Sequence, residues 1–200
     1  MFRFKFAAIA LASFFAAASL AHAESFDFTT LPIGTAVTNQ YSGVAFSLAG
    51  GPDSSGSPTI GGWEGPIFGL TNSNSGNYPT ANILDISFAT PVDNLSFTIN
   101  NWGSGNGTFF TAYDGATIVA TGDISNLAML EYDLVNVSGS GITDLKINNN
   151  TGGESSWIFA VGSLSFTPET SETPEPGTLL LLGTGLTGMA GLLRRRSRAQ

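Results

Sequence analysis

Hydrophobic and polar residues alternate along much of this chain with a period of two. Leu84, Ile86 and Phe88 fall on one side of an extended segment while Asp85 and Ser87 fall on the other. Leu95, Phe97 and Ile99 alternate in the same way with Asn94, Ser96, Thr98 and Asn100. A strand sends successive side chains to opposite faces, so this spacing predicts two half-buried strands with Pro91 at a turn between them. Further strands are predicted over residues 26–30, 43–48, 108–113, 117–121, 130–137, 142–148 and 157–166. Turn chemistry separates them at Asp114-Gly115, Gly122-Asp123, Ser138-Gly139-Ser140-Gly141 and residues 148–153. No stretch between residues 25 and 166 holds a helical period over three turns. Nine short strands without helical crossovers predict an all-β fold over residues 24–166, an antiparallel β-sandwich of jelly-roll type. Residues 50–82 are the least regular, rich in Gly, Ser, Pro and Asn, with Trp63 in a Gly-Gly-Trp-Glu-Gly turn.

The two ends break the alternation. Arg3 and Lys5 precede an uncharged run over residues 6–20 and then Ala21-His22-Ala23. This is the order of a secretory signal peptide: charged segment, apolar helix, and a small-x-small cleavage site formed by Ala21 and Ala23. As a retained anchor, 15 residues fall short of the roughly 20 that span a bilayer. Cleavage after Ala23 leaves Glu24 as the first mature residue.

Residues 167–176 are acidic and rich in Pro and Thr, the composition of an extended stalk that buries no core. An uncharged apolar run follows over residues 177–193, then Arg194, Arg195, Arg196 and Arg198. At about 1.5 Å per residue the run spans roughly 26 Å as a helix, near the lower limit for crossing a bilayer. Arginines are retained on the cytoplasmic side, so residues 194–200 are expected inside and the β domain outside. The signal peptide independently predicts the same sidedness. Thr184 with Gly188, and Thr187 with Gly191, are small-xxx-small pairs that allow close approach of a second membrane helix.

Charge and missing residue types narrow the chemistry. All 15 acids lie between Glu24 and Glu175, where the single cation is Lys146, a formal charge of −14. Such a surface repels phosphate backbones, which argues against nucleic-acid binding. The chain has no Cys, and its one His, His22, lies in the signal peptide. The exported part therefore lacks the residues for Ser-His-Asp or Cys-His catalysis and for His- or Cys-bound zinc. Paired carboxylates remain for glycosidase chemistry, but no acid pair has a distinguishing context, and the expectation is no enzyme and no cofactor. Calcium is the one metal the composition could hold, although no EF-hand or Gly-Gly-x-Gly-x-Asp repeat occurs. Sugar rings stack on exposed aromatic faces. Trp63, beside Glu64, is the candidate glycan contact, whereas Trp102 and Trp157 read as core residues.

Pro174-Glu175-Pro176, an apolar helix and a terminal arginine cluster, in that order, resemble the PEP-CTERM sorting signal of Gram-negative surface proteins. The resemblance covers about 25 residues of the chain. It implies that Pro174, Glu175 and Pro176 are recognised by a membrane-embedded exosortase, which cleaves the tail. It also implies export through the Sec translocon, signal peptidase cleavage, transient residence in the inner membrane, and release to the cell surface or an extracellular biofilm matrix. Two roles stay open for the exported domain: a structural protein that is simply displayed, or a carbohydrate-binding module for extracellular polysaccharide.

Overall fold

The computed structural model describes residues 22–51, 55–61, 68–75, 82–101, 108–124, 131–149, 159–169 and 183–185. Ala21–Glu169 forms one compact unit. Its strands are β1 (Glu24–Asp27), β2 (Val44–Ala49), β3 (Ile60–Gly61), β4 (Gly69–Thr71), β5 (Ile83–Asn101), β6 (Thr108–Asp114), β7 (Thr117–Asp123), β8 (Asp133–Asn136), β9 (Ile142–Asn149) and β10 (Phe159–Pro168). All of them join one antiparallel sheet, whose main path runs β3-β4-β10-β5-β9-β6-β7. β1 is added to β10, and β2 and β8 to β5.

β5 is the organising element. Its first half pairs with β2 and β9, and its second half with β8 and β10. A straight strand would carry Phe97 about 40 Å along from Leu84. Yet Phe97 packs edge-on to Phe110 with ring centroids 5.9 Å apart, and Phe110 lies level with Leu84, two strands over, through Ile147. β5 therefore doubles back. The reversal falls at Pro91 and Asn94: the pairing with β9 slips between Ser87 and Val92, and Asn94 has φ +51°. Asn tolerates that left-handed conformation better than most residues, and proline favours turns. The turn predicted at Pro91 is thus present as a fold within one continuous strand.

The reversal makes two wings that face each other. Wing A is β2, the first half of β5, β9, β6 and β7; wing B is β8, the second half of β5, β10, β4, β3 and β1. Phe88 of wing A meets Phe166 of wing B at 5.0 Å, and Phe46 of β2 meets Phe28 at 5.6 Å. The inward residues of both wings form one core that includes Leu84, Ile86, Phe97, Ile99, Leu145 and Leu164. The alternation seen in the sequence is what fills this space.

Three expectations need correction. The strand predicted over residues 26–30 stops at Asp27, because the Asp27 carboxylate accepts the Thr29 N–H at 2.9 Å and turns Phe28–Thr30 into a 3-10 turn. The segment 50–82 contains β3 and β4, two and three residues long, too short to display alternation. Of the strand predicted over 130–137, residues 131–137 are described, and among these the strand is Asp133–Asn136. Strands other than these follow the predicted pattern, so the all-β antiparallel class holds.

No helix among the described residues is long and apolar enough to cross a membrane. Of the membrane helix predicted over 177–193, residues 183–185 are described, and these are helical and exposed.

Candidate functional site

The described β unit ends at one pole. β10 ends at Pro168, and a further hydrogen bond, from the Glu169 N–H to the Pro91 carbonyl at 2.8 Å, ties the chain to the reversal of β5. β1 lies antiparallel to β10 with Glu24 opposite Phe166, and Ser165 Oγ donates to the Glu24 carbonyl at 3.2 Å. Glu24 and the root of the tail therefore share a pole. Ala23, the residue before β1, is exposed. Asp93 accepts the Gly141 N–H at 3.1 Å at the same pole. A Cβ on Gly141 would lie 3.6 Å from a Glu169 carboxylate oxygen and 3.7 Å from one of Asp114. Gly141 itself has φ +67°, a conformation that favours glycine.

A second cluster occupies the outer face of wing A. Lys146 Nζ is 3.4 Å from Asp85 Oδ2 across the β5–β9 pair and 5.5 Å from the ring centroid of Tyr113 on β6. The Asp85 side chain is 17% exposed and that of Lys146 39%, so the carboxylate is the more desolvated partner. Burial pushes the Asp85 carboxyl above its ordinary range; Lys146 draws it down and Asp144 pushes it up. Oδ1 of Asp85 is buried without a hydrogen-bond partner. Asp144 accepts from Ser87 Oγ at 3.0 Å and Thr143 Oγ1 at 2.9 Å. The Lys146–Asp85, Lys146–Tyr113 and Ser87–Asp144 contacts run between strands and knit three of them. The period-two pattern placed Asp85 and Ser87 on the polar face. It carried no signal that Asp85 would be covered there.

Wing B is covered differently. Tyr132 comes from the edge beside β8, crosses β5 and β10, and donates to the Phe68 carbonyl at 2.6 Å. Its ring lies over Gly162, where a Cβ would come within 2.6 Å of Tyr132 Cε1 and 2.9 Å of Thr98 Oγ1. Gly162 falls in the β10–β5 register shift between Val161 and Ser163, as an extra residue in the bulge. Burial and the negative charge of Asp27 push the Tyr132 hydroxyl up to about 12. Asn100 Nδ2 reinforces the strap by donating to the Glu131 carbonyl at 2.6 Å. Only the three-dimensional register brings Gly162 under Tyr132.

The sequence-predicted site residues are distributed unevenly relative to these features. Ala23 is described. Ala21, Trp63, Pro174, Glu175, Pro176, Arg194, Arg195, Arg196 and Arg198 lie outside the described residues, as do Trp102 and Trp157. Among the described residues no group of three or more His, Cys, Asp or Glu is placed to hold a metal ion.

The decisive match is to a family model described as the PEP-CTERM protein-sorting motif, over residues 172–197. The chain carries a PEP-CTERM sorting signal. The matched stretch takes in the Pro-Glu-Pro element, the apolar run and three of the four arginines at 194–198. A PEP-CTERM signal marks its chain for exosortase processing and for export to the cell surface or extracellular space. No curated protein matches the chain.

Proposed function

We propose that this PEP-CTERM protein is a structural component of the surface or extracellular matrix of a Gram-negative bacterium, displayed rather than catalytic. In this reading the Sec translocon exports it and signal peptidase cuts after Ala23. Residues 177–193 then hold it in the inner membrane as a helix, with Arg194, Arg195, Arg196 and Arg198 inside. Exosortase acts at Pro174, Glu175 and Pro176 and releases the β-sandwich. Two prolines fix φ and stop a membrane helix from running on through that point, which favours an extended, protease-accessible backbone. The family-model match over residues 172–197 supports the sorting and export in this reading. The reading assigns the domain no cofactor. Mass spectrometry of the mature protein from an exosortase-bearing host tests it, with a start at Glu24 and loss of the 179–200 peptide expected. Recovery of an intact tail would refute it.

One observation favours a carbohydrate-binding role for the exported domain. Phe109 and Tyr113, half-buried on the outer face of wing A, flank Thr111 on β6, with Asn148 and Lys146 beside them on β9. Apolar ring faces among amide and hydroxyl groups suit a neutral polysaccharide. A glycan array probed with the mature protein and with its Trp63→Ala and Tyr113→Ala variants separates the two roles. Saturable binding lost in either variant supports the module.

A further inference from the structure

We propose that β8 pairs antiparallel with β8 of a second copy of this chain, so that wing B runs on across a two-fold dimer. The outer edges of the sheet are finished unequally. Residues 34–38 close two of them: the Phe46 N–H of β2 donates to the Thr38 carbonyl at 2.7 Å, the Ile60 N–H of β3 donates to Thr35 at 2.8 Å, and the Ile60 carbonyl accepts from Gly34 at 2.7 Å. β1 carries a carboxylate at each end, Glu24 and Asp27, and charge guards an edge. β7 is interrupted by a bulge that leaves Val119 out of register with β6, a second common guard.

β8 has no such protection along its middle among the described residues. Val137 N–H donates to the Leu95 carbonyl at 2.9 Å, one step beyond the β5–β8 register, and in an antiparallel pair successive residues turn their backbone groups to alternate sides. Those of Val135 therefore face β5, while the N–H and C=O of Leu134 and Asn136 point away from it. Both residues are exposed, and the Leu134 side chain is 63% exposed. An open edge of this kind takes up another strand through main-chain hydrogen bonds. A second β8 fits it because the edge is self-complementary. Two-fold pairing about Val135 sets Leu134 of each copy against Asn136 of the other, so every outward N–H meets an outward C=O. In that register Asp133 falls opposite Val137, and no carboxylate directly faces its own counterpart. Such an interface uses the same patch on both copies and closes at two.

The chain has no Cys, so a single introduced thiol reports its neighbours in the full-length protein in its host. Leu134→Cys should give a disulfide-linked species of twice the mass, and Ile33→Cys, just as exposed at 62%, should not. Sedimentation of the mature protein reads the strength of the pair. Asn136→Pro removes an outward N–H while leaving the bonds to β5 in place, as proline is tolerated on the open side of an edge strand. It should weaken association by about tenfold or more, since each copy loses a donor. Leu134→Lys, which leaves the backbone untouched, should weaken it too, and an unchanged thermal midpoint of the dilute protein shows that either variant is folded. Each copy carries a formal −14 over residues 24–175, so the native dimer should be tighter at about 0.5 M salt than at about 0.05 M. A native protein still monomeric at about 1 mM overturns the proposal. So does a dimer indifferent to both variants, and so does a Leu134→Cys chain linked only to a protein of a different mass.

Discussion

The two wings cover their outer faces by opposite means. Wing A uses ordinary alternation, in which Asp85, Lys146 and Tyr113 reach sideways to neighbouring strands and each remains partly wet. Wing B lays a residue from one edge across the sheet, with Tyr132 resting on the bare backbone of Gly162 and bonding to Phe68. The first arrangement is a set of local pairs, each worth a few tenths of a kcal/mol up to about 1. The second depends on one glycine and one hydroxyl. Tolerance to substitution should therefore differ sharply between the wings.

Loss of the shared core erases the contrast and has the largest effect. Phe97→Ala removes a ring that packs on Phe110 across the wings, and should cost about 3–5 kcal/mol in denaturant unfolding. Next is Gly162→Ala, which drives a methyl group into Tyr132 and Thr98 and should cost about 1–3 kcal/mol. The matching change on wing A, Lys146→Ala, should stay within about 1 kcal/mol, because the lysine is well exposed. Comparable losses for the two would dissolve the distinction.

Tyr132→Phe keeps the ring and removes its hydroxyl, leaving the Phe68 carbonyl without its donor, at a cost of about 1 kcal/mol. Because the folded state holds the phenol proton up to about 12 against an ordinary 10.0, native stability falls as pH rises through that interval. Thermal melts from pH 9 upward should show this component in the native protein and not in the variant.

The smallest effect is at Asp85. Its folded carboxyl binds a proton more tightly than the unfolded one, so its contribution is full below the ordinary value of 3.8 and lost as pH rises through the raised value. Asp85→Asn should match the native protein in acid and exceed it by about 1 kcal/mol or less at pH 7. A destabilised variant at neutral pH would show that the Lys146 pair outweighs burial.

How much of this was legible beforehand follows physical lines. A strand of six or more residues writes its burial into the sequence as alternation, and β2, β6 and β9 were read that way. The reversal of β5 was signalled by Pro91. β3 and β4 wrote nothing, since two or three residues cannot express a period; β4 is placed by pairing with β10, and β3 by pairing with β4. Tyr132 over Gly162 was silent for a related reason: the partners are thirty residues apart and meet only through register. The sorting signal was the most legible part of all. It is read by other proteins from covalent order, so it needs no fold to be recognisable.

The pairing of β1 with β10 also sets how the released protein answers to pulling. The hydrogen bonds of an antiparallel pair lie across the strands. Tension entering at Glu169 and leaving through the opposite pole runs along β10, so its bonds to β1, β4 and β5 are loaded together, in shear. Tension on Glu24 against that same end instead opens the β1–β10 pair one rung at a time, beginning with Glu24 and Phe166. A protein held through its C-terminal end is thus gripped along the strong direction of its central strand, and a tug on its N-terminus meets the weak one.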